Sequence, residues 1–341
     1  IGIVSSGGAG KITAEWMMNG EMREDIFSLD ISRFEKFHSE LDFITERVTE
    51  TLGNLYAMHW PFKQHTTSRN QKLMPYHEHL LKRGACFGQA AAYERPMWYA
   101  INGNEPNYKY SYGYQNWYES AEHETLNARK NVALFDLSPF AKFELTGDNS
   151  HSTLQYLCAN DIKNQSGAIT YTQMLNSKGG IESDLTVTCL EENKFRVVTA
   201  SGVRTHDKKH ILKYLNSSVN LEDITDDFAC LGIFGPKSRE LLTEIFGEYF
   251  SNDDFKFGIG KKITKDSAEM WFQRISYVGE LGWEIYIPID KSKKIYETIV
   301  SFEKKYNLVH AGAHAMDIMR MEKGYLHWGH DISLAENPYE A

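Results

Sequence analysis

The chain has 341 residues, is 42% hydrophobic and 24% charged, and carries a formal net charge of −9. That length holds two domains or three pieces, and the composition is ordinary for a globular protein. The acidic balance leaves no basic stripe to neutralise phosphates, which argues against nucleic acid, and no run of about 18 apolar residues offers a membrane span. Aromatic residues make up 13%, which suits large cores or ring-binding pockets. Cys86, Cys158, Cys189 and Cys230 lie far apart without a C-x-x-C pair. They read as buried thiols in a reducing compartment, with no disulfide framework and no structural zinc. No secretory leader pattern is present, and a start at Ile1 rather than Met gives that little weight.

In chain order, Ile1–Lys11 reads as a short strand and a Gly-rich turn. A helix follows from about Lys11 to Met18 and ends near Asn19-Gly20. Ser6-Gly7-Gly8-Ala9-Gly10-Lys11 departs from a P-loop, because Ser5 replaces the first required Gly and Ile12 the required Ser or Thr. What remains is a nest of backbone N–H groups suited to an anionic or electron-rich group, or a plain strand-to-helix turn. Residues 35–100 read as a linker region, with helices at Ser39–Leu52 and His77–Arg83 and an extended stretch Pro61–Met74. Tyr99–Trp117, rich in Asn, Gly and Tyr, marks a boundary loop. From about Tyr118 the pattern is regular: helix Ser120–Asn131, strand Val132–Leu137, a turn at Ser138-Pro139-Phe140, then strand Lys142–Thr146. Helix His151–Ala159 follows, with Asn149 or Ser150 at its N-cap. Strands Asp184–Leu190 and Phe195–Ala200 pair like a hairpin, and helices fall at Pro236–Ile245, Ser292–Tyr306 and about Ala313–Lys323. Antiparallel strands broken by helices give the α+β class.

Three places carry candidate chemistry. Trp271–Tyr277 and Trp283–Pro288 predict a hairpin around a turn at Val278–Gly282. It would bring Tyr277 and Glu284 together at its mouth. A carboxylate accepting two parallel N–H bonds beside a packing ring can hold a flat heterocycle such as a pterin. An ordinary hairpin with a surface Glu fits the same spacing. Second, Asp184 opens a strand whose alternation puts Asp184, Thr186 and Thr188 on one face and Leu185, Val187 and Cys189 on the other. A carboxylate at the end of that polar face can stabilise a cation or take a proton, or simply bond its own turn. Third, Arg320 is three residues from Asp317, so it pairs with it or faces a ligand carboxylate. Trp328 is a ring-packing partner or core. His314, His327 and His330 lack Cys or acidic partners at metal spacing, so no metal site is expected. No serine sits in a nucleophile-elbow pattern, which argues against a hydrolase.

Taken together, the segments Glu122–Arg129, Phe135–Ser138, Leu145–Asp148, Tyr171–Asn176, Gly179–Leu185, Gly235-Pro236, Tyr277–Glu284 and Arg320–Lys323 follow the order of the glycine-cleavage T-protein (aminomethyltransferase) fold. Ile1–Gly20 resembles the closing strand, Gly turn and helix of an FAD domain of the D-amino-acid-oxidase type. Residues 35–100, with Gly84–Gly88 and Glu94–Trp98, resemble the central domain of the dimethylglycine and sarcosine dehydrogenases. The resemblance divides the chain into an FAD-domain tail (residues 1–34), a linker domain (35–102) and a T-protein-like folate domain (103–341). It implies oxidation of a small N-methylated amine at FAD, with capture of the one-carbon unit by tetrahydrofolate. Asp184 matches the catalytic carboxylate. Tyr277, Glu284, Tyr286, Arg320 and Trp328 match the folate side, and Ser6, Gly7, Gly8, Gly10 and Lys11 the flavin side. An electron-acceptor protein is an implied partner. The implied location is the cytoplasm, or the mitochondrial matrix in a eukaryote. T-proteins usually carry Asn near the end of the strand paired with Asp184, and this chain departs from that pattern with Val198-Thr199-Ala200 at the position of one pterin bond. The FAD fingerprint and the family's C-terminal barrel are expected outside residues 1–341. A non-catalytic regulatory subunit on the same domains, and a free-standing aminomethyltransferase, are the alternative readings.

Overall fold

Side-chain alternation along the strands decides this architecture. The computed structural model describes residues 2–19, 29, 33–247 and 250–341. Its strands are β1 (Ala85–Ala90), β2 (Tyr93–Tyr99), β3 (Val132–Asp136), β4 (Ala141–Thr146), β5 (Ile169–Leu175), β6 (Ile181–Glu191) and β7 (Lys194–Thr199). They continue with β8 (Asn220–Asp223), β9 (Phe228–Phe234), β10 (Gly260–Lys265), β11 (Ala268–Gln273), β12 (Gly282–Pro288) and β13 (Leu308–Ala311). One sheet runs β10-β11-β12-β9-β3-β13, the second β5-β6-β7-β4-β8, and β1-β2 is a separate hairpin. Among the described residues these strands pair antiparallel, except β13 on β3. The fold is α+β.

The helices are α1 (Ser6–Asn19), α2 (Leu41–Asn54), α3 (His77–Lys82), α4 (Tyr118–Lys130), α5 (Ser150–Leu157), α6 (Arg204–Lys213), α7 (Ser238–Phe246), α8 (Ile289–Val300), α9 (Glu303–Tyr306) and α10 (Ala313–Glu322). One core joins Met270, Phe272, Trp283, Ile285 and Ile287 of the six-stranded sheet to Leu241 and Ile245 of α7 and Ile295 and Ile299 of α8. Another joins Leu185, Val187, Phe195 and Val197 of the five-stranded sheet to Leu154 of α5 and Ile211 of α6. Each fully buried aliphatic or aromatic side chain here contributes about 1.5–3 kcal/mol. Because side chains alternate, these helix-covered faces leave Gln273, Glu284 and Tyr286 on one inner face and Asp184, Thr188 and Arg196 on the other. The inner faces meet: Gln273 Nε2 donates to Thr188 Oγ1 at 2.8 Å, and the Arg196 guanidinium lies 5.4 Å from the Tyr286 ring centre.

Several sequence expectations change. Of the segment expected as strand and turn, Ile1 lies outside the described residues and the rest forms no strand. Residues 2–5 are turn, and the helix begins at Ser6, so Gly7, Gly8 and Gly10 lie inside α1 with no positive φ. Contiguous helical hydrogen bonding overrides the glycines' weak propensity. The first strand of the informative hairpin ends at Gln273 rather than Tyr277. Ser276 Oγ accepts the N–H groups of Val278 and Glu280, both at 3.3 Å, and Gly279 takes φ +69°, so the chain leaves the ladder. Asp184 does not open its strand, which begins at Ile181. The helix expected over Ser292–Tyr306 begins earlier, at Ile289, and breaks into α8 and α9. The β1-β2 hairpin gave no turn signal, because Ala91 and Ala92 occupy the φ > 0 positions that Asn-Gly usually fills. Its strand β2 attaches to the larger body: Tyr99 N donates to Glu124 Oε1 at 2.7 Å, and Trp98 packs with Trp117 and Ala121.

Candidate active site

Glu284 stands on β12 opposite Gln273 of β11 and Gly232 of β9. Two residues on, the buried Tyr286 donates its hydroxyl to Glu284 Oε2 at 2.7 Å. Burial pushes the Glu284 carboxyl up to about 7, against the opposing pull of the Tyr286 bond and of Lys142. Lys142 is buried and donates to Ser138 O at 2.9 Å and Phe140 O at 2.8 Å. Its burial lowers its pKa to about 8. Arg196 is 2% exposed, pairs with Glu144 at 2.6 Å, and keeps Nε and Nη1 without protein partners. Gln273 Oε1 is likewise buried and unpartnered. The layer between the sheets therefore presents unmatched acceptors and donors, as a polar heterocycle with both kinds of edge requires.

Asp184 lies on the same layer. Its register partner on β5 is Gln173, whose Nε2 reaches Asp184 Oδ1 at 3.3 Å. Burial raises the Asp184 carboxyl to about 6, while hydrogen bonds from Tyr171 and Gln173 pull it down and Asp207 adds to the rise. Tyr171 and Tyr277 both feel the Asp184 charge, and burial raises the Tyr277 phenol to about 12. Two carboxyls with pKa values near neutrality, on facing sheets, suit proton handling at ordinary pH.

The structure gathers the expected residues selectively. Tyr277 joins Asp184, yet its hydroxyl donates to Leu326 O at 2.9 Å and its ring stacks near Tyr325 at 6.2 Å. It faces the segment after α10, and Glu284 faces Gln273 instead. Arg320 is buried, with Nε donating to Asp317 at 2.7 Å and Nη1 to Tyr325 O at 3.0 Å and to Asp331. Its guanidinium braces that same segment. Trp328 donates Nε1–H to Ile181 O at 2.8 Å and so pins the segment to the start of β6. Ser6, Gly7, Gly8, Gly10 and Lys11 lie on an exposed helix with no buried residue, and Lys11 is 3.8 Å from Glu15. Among the described residues no cluster of His, Cys, Asp and Glu can hold a metal, and the four cysteines are buried and free. Among them, too, no helix is long and apolar enough to cross a membrane.

Sequence reasoning missed Gln173, Tyr171, Lys142 and Arg196. Gln173 and Tyr171 sit two apart, a visible period-2 signal, but only the β5-β6 register shows that they meet Asp184. A lone Lys or Arg in a strand gives no sign that it is buried.

Residues 76–341 match the GCVT N-terminal domain family, and residues 19–73 match the FAD dependent oxidoreductase central domain. The chain is 38% identical over its whole length to a 4-methylaminobutanoate oxidase (formaldehyde-forming) of Paenarthrobacter nicotinovorans, covering 41% of that protein. It is 31% identical, again over its whole length, to the mitochondrial dimethylglycine dehydrogenase of Mus musculus, covering 39% of it. The chain thus spans about two fifths of the length of these relatives. Its fold is shared with the glycine cleavage system aminomethyltransferase T of Bartonella henselae, at TM-score 0.66 and 24% identity, over 78% of this chain and 66% of that one.

Proposed function

Because the chain belongs to the GCVT N-terminal domain family, we propose that it is the folate half of an FAD-dependent enzyme that demethylates a small N-methylated amine. The amine is of the dimethylglycine, sarcosine or 4-methylaminobutanoate class, and tetrahydrofolate takes the one-carbon unit. The observation that carries this is the pair of half-buried carboxyls, Asp184 and Glu284, on facing sheets with pKa values of about 6 and about 7.

Tetrahydrofolate supplies nucleophilic nitrogens for an electrophilic one-carbon unit, and its pterin carries N–H donors and a carbonyl acceptor. The donor set between the sheets fits such a ring. Glu284, oriented by Tyr286, accepts N–H bonds, and the free Oε1 of Gln273 offers a second acceptor. The N–H groups at Arg196 Nε and Nη1, without protein partners, are free to donate to acceptors on such a ring. Asp184, aimed by Tyr171 and Gln173, accepts a proton from a reacting nitrogen or balances a nearby cation. Tyr277 closes the side of Asp184 that Arg320 and Trp328 brace. The Ser6–Lys11 segment does not fit a flavin loop, because its glycines are helical and exposed, so no step is assigned to it. Reoxidation by an electron-acceptor protein, and a cytoplasmic or mitochondrial-matrix location, belong to the same proposal.

The test is Asp184→Asn in the full-length protein. Tetrahydrofolate-dependent methylene formation falls about 10²-fold, while the tetrahydrofolate Kd and amine-dependent flavin reduction stay within about threefold of wild type. Unchanged transfer overturns the role of Asp184. Absence of flavin reduction with every N-methylated amine points instead to a regulatory subunit.

A further inference from the structure

On the helix side of the five-stranded sheet, behind Asp184, lies a second polar cluster that the transfer chemistry leaves unused. The register of β5 and β6 slips there: Met174 pairs with Ser183 and Leu175 with Ile181, which leaves Glu182 as the extra residue of a β-bulge. Ser183, on the face opposite Asp184, and the extra Glu182 both reach α6. Asp207 of that helix is fully buried. Its Oδ2 accepts from Ser183 Oγ at 2.6 Å and from Thr199 Oγ1, and its Oδ1 is 2.8 Å from His206 Nδ1. His206 Nε2 in turn lies 3.0 Å from Glu182 Oε1. The chain of contacts Glu182–His206–Asp207–Ser183 leaves β6, passes through α6 and returns to β6 at the next residue. Trp328 tilts against the His206 ring at 5.7 Å and fixes Ile181 by its indole bond.

We propose that Asp207 is a positioning residue for Asp184: by tying Ser183, Thr199 and His206 to one buried carboxylate, it holds the bulge that aims Asp184 between the sheets. This rests on the reading of Asp184 as the proton-handling group. Thr199, whose hydroxyl donates to Asp207, is thereby committed to the far side of the sheet. The Asp207 charge also reaches Asp184 and strengthens its hold on a proton. The other groups acting on Asp184 are Tyr171 and Gln173 from β5 and Tyr277 from the loop after β11. Facing the cluster on α6 are His206, His210 and Lys213, all beside Glu182. Burial opposes a charge on His206, but the Asp207 and Glu182 bonds outweigh it and raise the imidazole to about 9. The imidazole is therefore charged at neutral pH, where it bridges Glu182 and Asp207.

The test follows tetrahydrofolate-dependent transfer from pH 5 to 9 in the full-length protein, with amine-dependent flavin reduction as an internal control. For Asp207→Asn the transfer kcat falls about 10-fold. The acid limb of its pH profile moves down by roughly half a pH unit or more, because a negative charge behind Asp184 is gone. Tetrahydrofolate Kd and flavin reduction hold within about twofold. Ser183→Ala keeps the charge, so it slows transfer and leaves the acid limb in place. His206→Gln leaves Asp207 without its counter-charge, so it slows transfer and moves the acid limb up; this variant decides the matter if Asp207→Asn does not fold. Transfer at the wild-type rate in these variants, or loss proportional to unfolded protein with an unmoved limb, overturns the role of Asp207. If Asp184→Asn itself leaves transfer unchanged, the reading of the site fails. If Asp184→Asn slows transfer and the Asp207 profile stays put, only this inference fails.

Discussion

Asp184→Asn tests the electrostatics of the site without any substrate. Burial raises this carboxyl from an ordinary 3.8 to about 6. At 1.36 kcal/mol per pH unit, holding it ionised in the fold costs about 3 kcal/mol, and its residual contact with solvent trims that to about 2 kcal/mol. The sign follows from the raised folded-state pKa. Below pH 3.8 the carboxyl is protonated in both states and costs nothing. Between 3.8 and about 6 the unfolded chain gives up its proton first, so stability drains away as pH rises, and above about 6 the full cost is present. Asparagine carries no charge at any pH. Urea unfolding of both proteins should therefore give a stability difference that grows by about 2 kcal/mol in favour of the variant between pH 4 and pH 8. Comparing the two pH values cancels the pH-independent effect of swapping an oxygen for an amide nitrogen beside Tyr171 and Gln173. A difference that stays flat with pH, or one that favours wild type more strongly at pH 8, refutes the claim that Asp184 is held ionised at a cost. The same cost would make the site ready to bind a cation or a hydrogen-bond donor.

Glu284→Gln weakens tetrahydrofolate binding by about 1.5–3 kcal/mol, the value of a charge-assisted hydrogen bond, as titration calorimetry would read. In wild type the affinity rises with pH through about 7, where Glu284 ionises, and the variant is flat across that range. Tyr171→Phe removes a bond that favours ionised Asp184, so the acid limb of transfer moves to higher pH in a stopped-flow profile. Gly180→Ala would place its Cβ 2.1 Å from the Leu334 carbonyl oxygen. It should lose about 1–3 kcal/mol and free the segment that bonds Ile181 N through Glu336 O, seen by thermal melting and limited proteolysis.

Local pattern carried much of the domain. The alternation over Asp184–Cys189 predicted which side chains share a face, because period 2 is a property of the strand itself. Helices such as Tyr118–Lys130 and Ala313–Glu322 showed the same way, the latter closed by Gly324 at φ +69°. Elsewhere local pattern misled. The glycines at Gly7–Gly10 suggested a turn, and a run of β-formers to Tyr277 suggested a longer strand that the Ser276 hydroxyl cuts short.

The sequence by itself determined the α+β class, the polar face of Asp184 and the carboxylate on the second strand of the hairpin, since these depend on neighbours in the chain. Tertiary structure alone decided that the two polar faces oppose each other, that Gln173 meets Asp184, and that Arg320 and Trp328 brace the segment after α10. Register and sheet packing join residues far apart in the chain. Burial, which moves Asp184 to about 6 and Glu284 to about 7, exists only once both sheets have closed over them.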